Sequence, residues 1–204
     1  MPLNDFFAGH RIIISRFAVV IFFSFLAVSL SGWRAIAPSF VSSLSRMGWI
    51  LIALAVTGRL WCGSHISGKK NTTLVTSGPY SVCRNPLYFF SFLGGLGAMI
   101  LTNTFLFPLL FSALFAFYYA RVIACEEAVL LNLYGTDYKQ YCFNVPRFWP
   151  KLSRIPQSLT SAVSTTHFFK NLGEVSWFMV AGGGVQYLEY LHLSNTLPTL
   201  LFIY

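Results

Sequence analysis

One stretch of this chain carries no charged residue over 36 positions, from Asn85 to Ala120. As a single helix it would be about 54 Å long at 1.5 Å per residue, nearly twice the ~30 Å hydrocarbon core of a bilayer. The triplet Thr102-Asn103-Thr104 offers a polar break near its middle. The sequence therefore predicts a helical hairpin, with spans at 86–101 and 105–124. Such a hairpin brings the polar segments before and after it to the same face of the membrane.

The composition of the chain also indicates a membrane protein. Only 10% of its 204 residues are charged and 55% are hydrophobic, whereas soluble domains carry about 25% charged residues. The net charge of +8 does not indicate nucleic-acid binding, because the basic residues stand singly at the edges of apolar runs. The four cysteines lack the spacing of a zinc site, so we expect no metal. These features favour an all-α fold, a polytopic membrane helix bundle with four to five transmembrane helices.

Two apolar segments precede the hairpin. The first predicted span covers about residues 13–33. Arg11 and Arg16 are followed by an uncharged stretch from Phe17 to Trp33, as in a signal peptide, but the apolar run is long for one and lacks a clear cleavage site. This favours an uncleaved first span. Residues 46–65 form the predicted second span. Both belong to a predicted membrane domain at 1–152, whose motifs lie within 58–150.

The chain after the hairpin has a different character. Residues 126–143 carry apolar side chains at helical spacing with charges between them, which predicts a helix along the membrane surface. Gly135 is the weak point of that helix. A second region, 153–204, comprises a Ser/Thr-rich linker at about 153–166 and an apolar tail at about 168–204. The sequence leaves open whether the tail forms a fifth span or an interfacial hairpin.

The distribution of Lys and Arg indicates the orientation. With the N terminus inside, the cytoplasmic segments carry eleven Lys and Arg residues, and the opposite side carries Arg34 and Arg46. Positively charged loops are retained on the cytoplasmic side. We therefore expect an integral protein of the bacterial inner membrane, with its N terminus and both polar segments in the cytoplasm.

Two polar segments flank the hairpin on that side. The first runs from the turn Gly78-Pro79-Tyr80 to Arg84-Asn85-Pro86-Leu87-Tyr88, where the proline marks a helix start. The second begins with Glu126-Glu127 and ends at Val145-Pro146-Arg147.

Glu126 lies at a predicted membrane edge, where an ionised carboxylate is costly unless it is solvated or paired. The residues alone allow two partners for it. One is the ammonium group of a cofactor, and the other is a plain salt bridge with Arg121 or Arg147.

In their order and spacing, the two segments resemble those of isoprenylcysteine carboxyl methyltransferases and of the related phospholipid N-methyltransferases. The resemblance covers about residues 58–150 and is specific for the superfamily, not for a substrate. It implies S-adenosylmethionine as the methyl donor, bound in a pocket on the cytoplasmic side. Carried over position by position, the cofactor-binding residues would be His65, Thr72, Thr73, Leu74, Val75, Tyr80, Asn85, Pro86, Leu87, Tyr88 and Glu126.

Asn85 departs from the pattern of the better-known eukaryotic members, which have His-Pro where this chain has Asn85-Pro86. An asparagine side chain can hydrogen-bond a carboxylate or a ribose, but it cannot carry charge or transfer a proton. A mechanism that needs an acid or base at this position is therefore in doubt here.

Three residues are candidates for the chemistry, namely Arg121, Glu127 and Tyr88. Arg121 lies about one turn before Glu126 and would orient an anionic acceptor. A carboxylate or thiolate acceptor needs only alignment and exclusion of water. An amine or phenol acceptor would also need its proton removed, for which Glu127 or Tyr88 would serve.

The expected function is methyl transfer to a lipophilic acceptor, either isoprenylcysteine carboxylate-like or a lipid amine, that enters from the membrane lipid. Two alternatives stay open. One is a non-catalytic membrane protein that binds a lipid or a partner helix through its glycine-rich faces. The other is an NADPH-dependent enzyme of the steroid 5α-reductase type, although no arginine cluster for a 2′-phosphate is apparent. Cofactor preference separates the three.

Overall fold

The computed structural model describes residues 20–66, 73–151, 153 and 165–204, and in the last of these ranges it describes side chains from residue 171. The described chain is mostly helical, as expected, with two three-residue strands that the all-α prediction did not include. In chain order the elements are α1 (20–26), β1 (Ser29–Ser31), α2 (Trp33–Ile36), α3 (Pro38–Ile66), α4 (Pro79–Val82), α5 (Pro86–Ile100), α6 (Leu106–Asn144), α7 (Thr165–Leu193) and β2 (Leu201–Ile203).

The centre of the bundle is formed by α3, α5 and α7, which pack against one another, while α6 packs on α5. The helices α3 and α5 approach closely at two glycines, since a Cβ on Gly97 would lie 2.7 Å from the carbonyl oxygen of Gly48. Small residues permit such backbone contact between helices in a membrane. Ile52 and Leu101 fill the core beside this crossing and are fully buried.

Two described helices, α3 and α6, are long and apolar enough to cross a membrane. The helix α3 has 29 residues and begins eight residues before the predicted span at 46–65, because Pro38 is compatible with a first helical turn. The helix α5 is apolar but has 15 residues, fewer than the ~20 of a typical span. The predicted number of four to five spans stays a prediction.

The predicted hairpin is confirmed as two helices, with α5 ending at Ile100 and α6 beginning at Leu106. Asn103 lies in the turn with a positive φ of 56° and a fully buried side chain. Asparagine tolerates this backbone conformation better than most residues. Its amide donates to Glu189 Oε1 at 3.0 Å and its Oδ1 accepts from Ser45 Oγ at 3.1 Å, so the turn is tied to α7 and α3.

The predicted boundary between a fourth span ending at 124 and a surface helix from 126 is wrong, because α6 continues past residues 124–126 without a break. Nothing between Cys125 and Glu127 opposes helix formation. The helical backbone is interrupted instead at Gly135, where φ is 51° and ψ is −117°. This conformation is accessible essentially to glycine alone. The short helical segment after it is redirected toward α4.

The first and last described segments also differ from prediction. The helix α1 ends at residue 26 and not at 33, because β1 follows it, while residues 13–19 lie outside the described part. The apolar tail is one helix, α7, continuous through its glycine triplet, followed by β2. Thus the tail is not an interfacial hairpin. The strand β1 pairs in parallel with β2, so the tail returns to the first residues of the described chain.

Candidate active site

A cavity of about 330 Å³ lies between α4, the loop before it and α6. We call it the first cavity. The size is at the lower end of the ~300–1,000 Å³ typical of small-molecule sites. Its lining residues are Ile66, Thr73, Leu74, Val75, Tyr80, Arg84, Cys125, Glu126, Val129, Leu130, Tyr134, Tyr138 and Tyr141.

The turn before α4 is shaped by Gly78, which has a positive φ of 62°. A Cβ at this position would lie 2.3 Å from His65 Nε2, so the imidazole ring packs directly against the glycine. His65 is itself buried at the end of α3, with its Nδ1 3.0 Å from the Trp61 carbonyl oxygen. His65 therefore supports the turn from below and does not line the first cavity.

Tyr80 and Tyr141 join α4 to the last part of α6. The Tyr141 hydroxyl donates to the Tyr80 carbonyl oxygen at 2.6 Å, and both side chains are buried. Burial raises the pKa of both tyrosines well above the ordinary value, so both hydroxyls are neutral. The Tyr80 hydroxyl is buried without a hydrogen-bond partner in the described part of the chain. A buried donor without a partner is costly, and this one faces a cavity where a ligand could satisfy it.

Glu126 lies on the α6 side of the first cavity. The Tyr88 hydroxyl donates to its Oε1 at 2.7 Å. Within the described residues Glu126 forms no salt bridge, in contrast to the four ion pairs found elsewhere. Its carboxylate charge is therefore not neutralised by a cation of the described residues. The predicted salt bridges of Glu126 with Arg121 and Arg147 are absent from this part of the structure.

Glu127 has a different environment from its neighbour. Its Oε1 is 3.4 Å from Arg84 Nη1 and its Oε2 is 3.0 Å from Arg147 Nε. The Asn85 amide donates to the same carboxylate at 3.3 Å and to the Arg147 carbonyl oxygen at 3.0 Å. Glu127 and Asn85 thus hold Arg147 beside the start of α5. With both carboxylate oxygens facing arginine nitrogens, Glu127 is placed as an ion-pair partner, and its role as a general base stays a prediction.

A second cavity of about 410 Å³ lies between α5, α6 and the segment after α6. Apart from Arg147, its lining is mainly apolar and aromatic. Its lining residues are Phe92, Ser112, Phe115, Ala116, Tyr119, Ala120, Ile123, Arg147, Phe148 and Trp149. The cavity is suited to a hydrocarbon chain or an isoprenoid.

The two cavities are neighbours that share a wall. Arg84 lines the first cavity and Arg147 lines the second, and Glu127 is paired with both. Tyr88 also lies between them, because its hydroxyl contacts Glu126 while its ring is 5.0 Å from the ring of Tyr119 in the second cavity.

The predicted cofactor residues divide into three groups. Thr73, Leu74, Val75, Tyr80 and Glu126 line the first cavity together. His65, Asn85, Pro86, Leu87 and Tyr88 lie behind its wall or at the start of α5 and do not line it. Thr72 lies outside the described residues.

Arg121 is the predicted site residue that the structure places elsewhere. Its guanidinium lies over the ring of Phe117, 4.1 Å from the centroid, and the residue lines neither of the two cavities. Arg147 is the arginine at the second cavity. The sequence prediction favoured Arg121 because it precedes Glu126 by about one turn, but this spacing alone does not turn it toward the site.

Several lining residues were not predicted as site residues. Four of them recur at helical spacing within the predicted membrane-surface helix, namely Leu130, Tyr134, Tyr138 and Tyr141. Leu130 and Tyr134 lie on the same helical stretch of α6 as Glu126, and Tyr138 and Tyr141 reach the first cavity because the break at Gly135 turns the end of α6 back over α4. Their helical periodicity thus indicated the cavity wall, but the sequence did not show in which direction this side of α6 points.

Comparisons with known proteins point to one family. The family model for phospholipid methyltransferases matches residues 33–137. Over 86 residues the chain is 37% identical to protein-S-isoprenylcysteine O-methyltransferase of Schizosaccharomyces pombe, which is 41% of this chain and 36% of that protein. No solved structure matches.

Two bacterial relatives match over nearly their whole length. One is cobalt-zinc-cadmium resistance protein CzcN of Cupriavidus metallidurans, 34% identical over 96% of this chain and 89% of the relative. The other is nickel-cobalt-cadmium resistance protein NccN of Alcaligenes xylosoxydans xylosoxydans, 35% identical over 99% of this chain and 93% of the relative. With the family model matching just over half of its length, this chain belongs to the phospholipid methyltransferase family.

Proposed function

We propose that this protein is a membrane methyltransferase that uses S-adenosylmethionine to methylate a lipophilic acceptor. The observation that carries the proposal is the pair of adjoining cavities. Among the described residues, the first holds a carboxylate without a salt bridge and a buried hydroxyl without a hydrogen-bond partner, and the second is mainly apolar. Family membership supports methyl transfer in general, and S-adenosylmethionine is the usual donor of such enzymes.

The residues of the first cavity fit the donor. Glu126 would balance the positive charge of the donor's ammonium or sulfonium group, since no cation of the described residues forms a salt bridge with Glu126. The Tyr80 hydroxyl would gain the hydrogen-bond partner that it lacks. Tyr134 and Tyr138 add aromatic faces, which attract cations and cover a purine ring.

The second cavity fits the acceptor. Its aromatic wall of Phe92, Phe115 and Tyr119 would bury a hydrocarbon chain, at about 25 cal/mol for each Å² of apolar surface removed from water. The wall shared with the first cavity would bring the head of such a molecule to Tyr88 and Arg147. This position is next to Glu126, where the donor would be held.

S-adenosylmethionine, when bound, supplies an electrophilic methyl group that a nucleophilic acceptor atom takes up. The protein's part is to align the acceptor and to exclude water, for which the apolar lining of the second cavity serves. Tyr88 donates its proton toward Glu126, so the Tyr88–Glu126 pair stands where a proton from an amine or phenol acceptor would have to go. A carboxylate acceptor would need no such transfer, and Arg147 would orient it.

The names of the two bacterial relatives raise a link to metals. Among the described residues there is no group of three or more His, Cys, Asp or Glu side chains that could hold a metal ion. The proposal rests on the two cavities and assigns no metal binding to this site.

The donor site is tested by calorimetric titration of the detergent-purified protein with S-adenosylhomocysteine, with NADPH as a parallel ligand. We expect the wild type to bind S-adenosylhomocysteine and not NADPH, and Glu126→Gln to bind it at least about tenfold more weakly through loss of the charge. Glu174→Gln is the matched control, because that carboxylate pairs with Arg59 away from both cavities.

Three results would contradict the proposal. Equal affinity in Glu126→Gln and Glu174→Gln would remove the donor site from the first cavity. NADPH binding without S-adenosylhomocysteine binding would favour a reductase, and binding of neither by folded protein would favour a non-catalytic lipid-binding protein.

A further inference from the structure

A surface groove of about 480 Å³ adjoins both cavities, and we call it the basic groove. Three of its residues are cationic and none of its lining residues is Asp or Glu. Its lining residues are Arg84, Cys142, Phe143, Asn144, Val145, Pro146, Arg147, Trp149, Pro150 and Lys151.

The walls of the basic groove are fixed by backbone hydrogen bonds between its two sides. The Arg84 N–H donates to the Pro146 carbonyl oxygen at 2.9 Å, and the Lys151 N–H donates to the Val82 carbonyl oxygen at 3.0 Å. These bonds hold the cationic side chains of Arg84 and Lys151 at one place on the surface. The groove is thus a built feature of the fold and does not depend on side-chain contacts alone.

The described residues do not balance the charge of the groove. Arg84 and Arg147 share Glu127, and Lys151 forms no salt bridge within the described residues. Three positive charges therefore meet one negative charge. Arg147 uses its Nε for Glu127 while its side chain stays 46% exposed, which leaves its terminal nitrogens free to donate. Arg84 Nε is buried without a hydrogen-bond partner in the described chain.

The basic groove is continuous with the apolar second cavity, since Arg147 and Trp149 line both. Two aromatic side chains are exposed at its edge, Trp149 at 69% and Phe143 at 92%. Exposed aromatic residues beside basic ones are typical of the interface between lipid headgroups and hydrocarbon. A small soluble anion would use the groove alone, whereas a lipid would use the groove and the cavity together.

We propose that the basic groove binds the headgroup of a net anionic lipid, whose hydrocarbon chain lies in the second cavity, and that it selects such lipids over zwitterionic ones. The inference rests on the proposed function in taking the second cavity as the acceptor site. Its recognition chemistry is the attraction of Arg147 and Lys151 for a phosphate or carboxylate oxygen, while the lining of the groove includes no carboxylate to receive a headgroup cation.

The test measures energy transfer from tryptophan to dansyl-labelled lipids, with the full chain in mixed micelles of a neutral detergent. We expect labelled phosphatidylglycerol to bind at least tenfold more tightly than labelled phosphatidylcholine. Lys151→Gln should weaken phosphatidylglycerol binding about fivefold, the effect of one cation near a lipid headgroup. Lys139→Gln, which removes an exposed cation of α6 that does not line the groove, should leave it unchanged.

The source of the anion is settled by two further arms. Inorganic phosphate should compete poorly with phosphatidylglycerol, and filling the second cavity by Ala116→Trp should weaken lipid binding. Equal binding of the two lipids, equal losses in Lys151→Gln and Lys139→Gln, effective competition by phosphate, or lipid binding unaffected by Ala116→Trp would each overturn the inference. Affinity for S-adenosylhomocysteine, measured in the same variants, keeps this failure separate from failure of the proposed function.

Discussion

The pairing of Glu127 with Arg84 and Arg147 predicts that Glu127→Gln is destabilising. The Glu127 and Arg84 side chains are 17% and 14% exposed, so their pair is largely buried, whereas Arg147 is 46% exposed. Removing one partner of a buried pair costs about 3–5 kcal/mol, because the other charge is left without compensation. An exposed pair contributes only about 0–1 kcal/mol.

For Glu127→Gln we expect a loss of about 2–4 kcal/mol, since the glutamine can still accept a hydrogen bond from Asn85 and in part from Arg84. In a chain of this length about 1 kcal/mol shifts Tm by about 2–4 °C, so the expected fall in Tm is roughly 5–15 °C. The assay is thermal unfolding in detergent, followed by circular dichroism and by intrinsic fluorescence.

Glu174→Gln is the matched control for this experiment. Its carboxylate is 54% exposed and 3.6 Å from Arg59, so its removal should cost under about 1 kcal/mol. A double variant, Arg84→Leu with Glu127→Gln, should recover part of the loss, because the uncompensated charge is gone. Similar Tm values for Glu127→Gln and Glu174→Gln, or no recovery in the double variant, would refute the reasoning.

Three further predictions follow from the backbone and the thiols. Gly135→Ala should lower both Tm and S-adenosylhomocysteine affinity, because alanine is strained at φ 51°, whereas Gly183→Ala, in open space on α7, should leave both unchanged or raise Tm. N-ethylmaleimide at pH 8 should label exposed Cys125 before buried Cys83, because burial raises the pKa of the Cys83 thiol to about 11. S-adenosylhomocysteine should protect Cys125, which lines the first cavity. Equal labelling rates of the two cysteines by mass spectrometry would contradict this prediction. Asn103→Ala should lower Tm by breaking the buried contacts to Glu189 and Ser45, and an unchanged Tm would argue against that network.

The sequence was sufficient for the parts of the fold that depend on local pattern. An uncharged run too long for one span predicts the hairpin around Thr102-Asn103-Thr104, and a lone glycine in a helical pattern marks the weak point at Gly135. The same information placed Leu74, Tyr80 and Glu126 near one another, through the resemblance of their segments to a family. The five predicted cofactor residues that line the first cavity lie in two short segments of the sequence, 73–80 and 126, each of which can be recognised from its local motif.

Features that depend on distant pairings had no such local signal. The strands β1 and β2 are three residues each, so neither has a readable alternation. Arg121 precedes Glu126 by about one turn in the sequence, whereas Arg147 lies 3.0 Å from Glu127 in the structure. Sequence spacing alone does not show which of the two arginines faces the site. The basic groove was missed because Arg84 and Lys151 are far apart in sequence and meet only through backbone hydrogen bonds.

The parallel pairing of Ser29–Ser31 with Leu201–Ile203 has a consequence for how the protein is made. The partners are roughly 170 residues apart, so the ribosome must release nearly all of the described chain before they can meet. Until then the edge of the early strand stays open and its backbone groups lack partners. The helices between them can therefore insert and pack one after another while the assembly remains unclosed. Closure is a late, long-range event, and a nascent chain stalled shortly before residue 201 would expose that edge to other proteins.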